Sequence, residues 1–223
     1  MNLTPDQMRA LDLATARRFA LPTLLLMEHA SLAVARQAAE MLLGSDHAVA
    51  LCGGGHNGGD AAAAARHLFN WGRQVDLILV GREPEDADVG DHAVNFRAAR
   101  RLGIPFTVLE EAKAVAERAA AADLWIDGLV GTGLTGTLRP PLRDVIEQLA
   151  QRGGRSLAVD IPSGLSGLTG APMPVALPAE VTVTFGFAKT GLQTPSAQPY
   201  VGRLVVADIG YPRPIMEDPL RFA

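Results

Sequence analysis

Cysteine is nearly absent from this sequence. Cys52 stands alone, so no disulfide can form within the chain and a reducing compartment is the expected setting. Its place at the end of a short apolar run marks a packed thiol before a reactive one. Positive charge is in short supply as well: 20 Lys and Arg against 24 Asp and Glu leave a net charge of -4. That balance argues against a nucleic-acid or anionic-membrane surface, so any anion must be captured locally. Long apolar runs are missing too. The run at 21–27 is too short to span a bilayer, and residues 1–18 lack the basic-then-apolar pattern of a leader, so a soluble cytoplasmic protein is expected. No linker-like stretch and no internal repeat divides the chain; the alanine runs at 61–65 and 119–122 are helix formers. Residues 1–223 are therefore expected to form one domain, with N-terminal helices over 1–45, a core over 46–212 and a tail over 213–223.

What is abundant is glycine, and it is concentrated. The apolar run 48–52 breaks into Gly53-Gly54-Gly55-His56-Asn57-Gly58-Gly59-Asp60, five glycines within seven residues, and resumes as alanine-rich sequence. The pattern reads as strand, tight turn, helix. Bare backbone in the turn and the positive end of the following helix attract an anion such as a phosphate. A plain tight connection needs one or two glycines rather than five.

Upstream, Thr4-Pro5-Asp6-Gln7 carries a capping hydroxyl, a proline at the first helical position and a glutamine three residues after the cap, so a helix is expected over Pro5–Phe19. A second runs from about Pro22 toward Leu43. The apolar faces of the two suit packing on a sheet or on a second subunit. Beyond the glycine turn, helices are expected at 61–71, 88–102, 110–122 and 141–152, and strands at 74–80, 106–109, 124–127, 156–160, 180–185 and 203–206. Strands alternating with helices imply a mostly parallel sheet with right-handed crossovers: a Rossmann-like, doubly wound, three-layer α/β domain with two extra N-terminal helices.

In such a sheet, ligands bind beyond the carboxyl ends of the strands, and three polar, glycine-rich loops fall there. One is 53–60. The second follows Asp127 as Gly128-Leu129-Val130-Gly131-Thr132-Gly133-Leu134-Thr135-Gly136-Thr137, and the third is Asp160-Ile161-Pro162-Ser163-Gly164. Gly53-x-Gly55-x-x-Gly58 matches a dinucleotide fingerprint, but Asp76 lies near the start of the next strand, where a ribose-binding acid is not wanted, and Arg82 occupies its end. An ordinary dehydrogenase is thus a runner-up. Asp127 and Asp160 each end a strand. Alone, either suits a turn cap; with Asn57 and Ser163 they offer hard oxygen donors, fit for an alkali or alkaline-earth cation and poor for zinc. Lys189 belongs to the same edge if its strand does. Ser163 lacks the elbow glycine two residues before it that a serine hydrolase needs, and His67 reads as structural.

Taken in order, these motifs resemble the NAD(P)H-hydrate epimerase family. Gly55-His56-Asn57-Gly58-Gly59-Asp60 is similar to its G-N-N-G-G-D, Asp127 to Leu134 to its D-A-L-F-G-T-G-L, Asp160 to Gly164 to its D-I-P-S-G, and Thr184-Phe185-Gly186 with Lys189-Thr190-Gly191-Leu192 to its T-F-G-x-x-K-x-G-L. Leu26-Met27-Glu28-His29-Ala30 is similar to its L-M-E-N-A. The resemblance implies epimerisation of R and S hydrated NADH and NADPH ahead of a separate dehydratase, by a homodimer that binds one potassium ion per subunit. It implies that Asn57, Asp127 and Ser163 hold the ion. The nucleotide would meet His56, Asn57, Gly58, Gly59, Asp60, Gly131, Thr132, Gly133, Leu134, Thr135, Gly136, Thr137 and Asp160. Asp160 is expected as acid/base or electrostatic stabiliser, with Lys189 as a second proton-transfer or phosphate-facing group. The chain departs from the family at His56 and His29 for Asn, Ala61 for Gly and Ser166 for Asp. A non-catalytic binding module of the same fold is the alternative class.

Overall fold

The computed structural model describes residues 1–43, 46–85, 87–134 and 136–223. A short strand β1 (Asn2–Leu3) leads into α1 (Pro5–Phe19), where the Thr4 hydroxyl accepts the Gln7 N–H at 3.2 Å and the Gln7 side chain accepts the Thr4 N–H at 2.9 Å. This is the reciprocal cap that the local sequence calls for. The chain continues through α2 (Thr23–Met41), β2 (His47–Gly53), α3 (His56–Asn70), β3 (Gln74–Val80), α4 (Asp91–Arg101), β4 (Phe106–Leu109), α5 (Ala112–Ala119), β5 (Leu124–Gly128), α6 (Leu142–Arg152), β6 (Ser156–Val159), β7 (Val181–Phe185), β8 (Ala188–Lys189), α7 (Gln198–Val201), β9 (Arg203–Ala207) and α8 (Arg213–Glu217).

Seven strands form one parallel sheet in the order β4-β3-β2-β5-β6-β7-β9. From β2 the chain winds outward to β4, then returns to the other side of β2 at β5. The switch point therefore lies between β2 and β5, where a crevice opens at the strands' carboxyl ends. Alternation within each strand divides the core in two. In β2, Ala48, Ala50 and Cys52 join α1 to α4 on one face, while Val49 and Leu51 join α5 and α6 on the other. That gives the three-layer α/β architecture expected from the alternating pattern. Leu26, Ala30, Val34, Ala35 and Ala38 of α2 share the first core with the sheet, so the second N-terminal helix packs on the sheet. Among the described residues no helix is long and apolar enough to cross a membrane.

Two local differences from the sequence reading matter for the site. Helix α3 begins at His56 rather than at 61, with Gly58 and Gly59 inside its first turns. Close packing overrides glycine's poor helix propensity here: a Cβ on Gly58 would lie 1.8 Å from the Gly53 carbonyl oxygen. The second difference is β1, which pairs in parallel with β8 as Leu3↔Lys189. A two-residue strand carries too little periodicity to be read locally, yet it fixes the backbone of Lys189.

Candidate active site

A cavity of about 970 Å³ opens at the switch point. Of the sequence-predicted residues, His56, Asn57, Gly58, Asp60, Gly131, Thr132, Gly133, Leu134, Thr137, Asp160 and Lys189 line it. Gly59 is placed elsewhere: a Cβ on it would lie 2.6 Å from the His92 Cα, so it serves the close approach of α3 to α4. Gly136 lies in open space at φ 85°, and Thr135 falls outside the described residues. Arg82, at the end of β3, is 79% exposed and paired with Glu85, the solvated outcome for a lone surface arginine.

Gly55 stands at the N-cap of α3 and has no side chain to satisfy the first-turn amides. The free N–H groups and the positive helix end therefore face the cavity rim at Gly55 to Gly58, an anion-binding arrangement made by backbone alone.

Beneath that rim, Asp127 and Ser163 are fully buried. Asp127 Oδ1 accepts the Ser163 hydroxyl at 2.5 Å and the Leu129 N–H at 3.3 Å, while Oδ2 accepts the Ser163 N–H at 2.8 Å. The Ser163 oxygen in turn accepts the Val130 N–H at 2.8 Å. Burial pushes the Asp127 carboxyl up to about 6 despite those donors, and no cationic side chain pairs with it among the described residues. Asn57 is buried beside Gly131, and its amide Nδ2 has no partner among the described residues. Because the two ends of an Asn amide are told apart only by their hydrogen bonds, the amide turned over would put its oxygen at that unpartnered position, where a hard cation finds a ligand. An amide oxygen, a buried carboxylate and a hydroxyl are hard donors that fit an alkali cation. Among the described residues no group of three or more His, Cys, Asp or Glu could hold a metal ion.

At the tip of β6 the backbone of Asp160 turns into the left-handed region, φ 66°, a conformation that costs a non-glycine residue about 1–3 kcal/mol and clusters at functional sites. The turn delivers its side chain to Lys189, which is 2% exposed. Lys189 Nζ donates to Asp160 Oδ1, to the Thr184 hydroxyl at 3.1 Å and to the Phe185 carbonyl at 3.2 Å. All three of its protons are thus engaged, and none is left for a phosphate. Asp160 Oδ1 also accepts from the Thr184 hydroxyl and the Phe185 N–H, both at 3.2 Å. Every donor goes to Oδ1, and among the described residues none reaches Oδ2.

Several cavity residues escape a sequence reading. Tyr211 donates its hydroxyl to Asp12 at 2.5 Å across 199 residues, and Thr23 donates to Asp91 at 2.5 Å. Arg9 and Arg139 also line the wall. None of these sits in a local motif; only helix α1's facing toward the cavity could have signalled Asp12. His67, predicted to be structural, lies 3.1 Å from Glu28 on the α2–α3 seam. Cys52 is fully buried, which pushes its thiol far up.

A family described as YjeF-related protein N-terminus matches residues 23–191. The bifunctional NAD(P)H-hydrate repair enzyme Nnr of Thermofilum pendens is 37% identical over 216 residues, covering 96% of this chain and 41% of that protein. The NAD(P)H-hydrate epimerase of Limosilactobacillus fermentum is 36% identical over 206 residues, covering 92% of this chain and 95% of that one. The chain thus spans less than half the length of its bifunctional relatives. Among solved structures, yeast ynu0 superposes with a TM-score of 0.77 at 18% identity, covering 92% of this chain and 87% of its own, which speaks for the fold.

Proposed function

The chain belongs to the YjeF-related protein N-terminus family, and from that premise we propose that it interconverts the R and S forms of hydrated NADH and NADPH. The observation that carries the proposal is the buried Asp160–Lys189 pair in the wall of a nucleotide-sized cavity, with one carboxylate oxygen saturated and the other without a donor among the described residues. Inversion at a ring carbon that bears a hydroxyl and adjoins the ring nitrogen passes through loss of water to a cationic imine and re-addition of water. The Asp160 carboxylate, paired with Lys189, stabilises that cation electrostatically, and its other oxygen accepts a proton. The amides of α3's first turn bind the pyrophosphate. Asn57, Asp127 and Ser163 would hold a potassium ion, which when bound supplies positive charge beneath the phosphate-binding rim.

The same reading takes the protein as a homodimer, to be checked by its molar mass in light scattering, acting in the cytoplasm ahead of a dehydratase. The decisive experiment incubates purified protein with each separated epimer and follows both by chromatography. Approach to one equilibrium mixture from either side, faster than in buffer, is expected. Rates equal to buffer would refute the reading and favour a binding module, and an absorbance change with an alcohol or carbonyl substrate would favour a dehydrogenase.

A further inference from the structure

Re-addition of water to the opposite face of a planar imine needs a proton donor where one hydroxyl leaves and an acceptor where the other arrives. Lys189 is not the second of these, because its three protons are committed. Four carboxylates line the cavity: Asp12, Asp60, Asp91 and Asp160. Asp12 takes the Tyr211 hydroxyl, Asp91 takes the Thr23 hydroxyl, and Asp160 takes Lys189, Thr184 and the Phe185 N–H. Asp60 alone accepts no hydrogen bond among the described residues. It is 7% exposed and reaches the cavity from helix α3, whereas Asp160 reaches it from the tip of β6.

A buried carboxyl without donors, facing other carboxylates, is most stable with its proton on. Burial raises the Asp60 carboxyl well above the usual range; Asp160 and Asp12 push it the same way, and Lys189 opposes them. The other charged or titratable groups on the wall are Arg9, His56, Asp91, Arg139 and Tyr211. Of these two carboxyls in one site, one accepts no donor among the described residues and is driven toward the acid, while the other is bound by Lys189, Thr184 and the Phe185 N–H; such a contrast in surroundings is what acid–base pairs require.

We propose, resting on the epimerase reading above, that Asp60 is a second catalytic residue, paired with Asp160 across the reacting ring so that each serves one face. In one direction Asp60 gives its proton to the substrate hydroxyl. The C–O bond breaks with its electron pair going to oxygen, and the ring-nitrogen lone pair forms the C=N bond. The released water departs, and another adds to the opposite face as the C=N electrons return to nitrogen. Asp160 Oδ2 takes the proton that this water sheds. One water leaves and one enters, and the reverse direction exchanges the two roles.

Asp60→Asn and Asp160→Asn are each incubated with either epimer in oxygen-18 water, measuring interconversion and label uptake together. Asp60→Asn is expected to lose 100-fold or more in interconversion, the scale of one proton-transfer group, yet to keep label uptake in one epimer within about tenfold of wild type. Asp160→Asn is expected to keep uptake only in the other epimer. Retained one-sided exchange also reports a folded site. Interconversion by Asp60→Asn near the wild-type rate, or equal loss of exchange in both epimers, overturns the proposal. A wild type that leaves both epimers unchanged overturns the functional reading and this inference with it, whereas an unimpaired Asp60→Asn beside an active wild type overturns the inference alone.

Discussion

Replacing Lys189 by Met tests whether the buried pair at the end of β6 is held together by mutual neutralisation. The Lys189 side chain is 2% exposed and that of Asp160 12%, so solvent screens the pair little, and removing one partner leaves an uncompensated charge. Breaking a buried pair in this way costs about 3–5 kcal/mol. At roughly 2–4 °C per kcal/mol for a chain of this size, the melting temperature should fall by about 6–20 °C. Lys189→Met with Asp160→Asn should behave differently. The Asn carbonyl keeps the Thr184 hydroxyl and Phe185 N–H as donors, and no charge is left stranded. The double variant should therefore be more stable than Lys189→Met alone, with a coupling of about 2 kcal/mol or more. Urea unfolding followed by circular dichroism near pH 7 on all four proteins measures it. Single losses that add in the double variant to within about 0.5 kcal/mol would refute the account, since independent residues behave that way.

Removal of the ion gives a pH-dependent signature. Asp127 is raised from 3.8 to about 6 in the folded protein, so the native state binds more protons than the unfolded state between those values, and stability falls as pH rises from about 4 to about 6, by about 3 kcal/mol. Asp12 and Asp60, both raised mainly by burial, act in the same sense. Potassium chloride should then raise the melting temperature more near pH 7.5 than near pH 4.5, and Asp127→Asn should abolish that difference; an equal rise with tetramethylammonium chloride would sink the prediction. Gly58→Ala should weaken nucleotide binding and cost about 1–3 kcal/mol, because its Cβ would overlap the Gly53 carbonyl and displace the start of α3; titration calorimetry with NADH checks the first and denaturation the second. Cys52, buried on the strand with its thiol pushed up, should resist a thiol reagent in native buffer and react once in denaturant. Stoichiometric labelling of the native protein would contradict that.

The parts of the site that could be read in the sequence are those built by consecutive residues at strand ends. Gly53 to Asp60, Asp127 to Gly133 and Asp160 to Gly164 each announce themselves because a strand that stops in glycine or proline must turn, and in a parallel sheet all such turns share one edge. That geometric rule brought Asn57, Asp127, Asp160 and Ser163 into one region with no knowledge of side-chain contacts. What stayed hidden depends on pairs distant along the chain: Tyr211 with Asp12, Thr23 with Asp91, and Leu3 with Lys189. The start of α3 escapes the local sequence for a related reason, since Gly58 and Gly59 pack closely against Gly53 and His92 of other elements. Asp60 shows the limit most clearly. Its neighbours in sequence mark it as part of a candidate nucleotide loop, and what separates it from the other cavity acids is that it accepts no hydrogen bond among the described residues. A missing partner leaves no trace in local sequence, because it follows from where every other donor in the wall has been committed. In this cavity the acids are therefore told apart by how their donors are allocated: Lys189, Thr184 and the Phe185 N–H crowd one oxygen of Asp160, and among the described residues none reaches its second oxygen or Asp60.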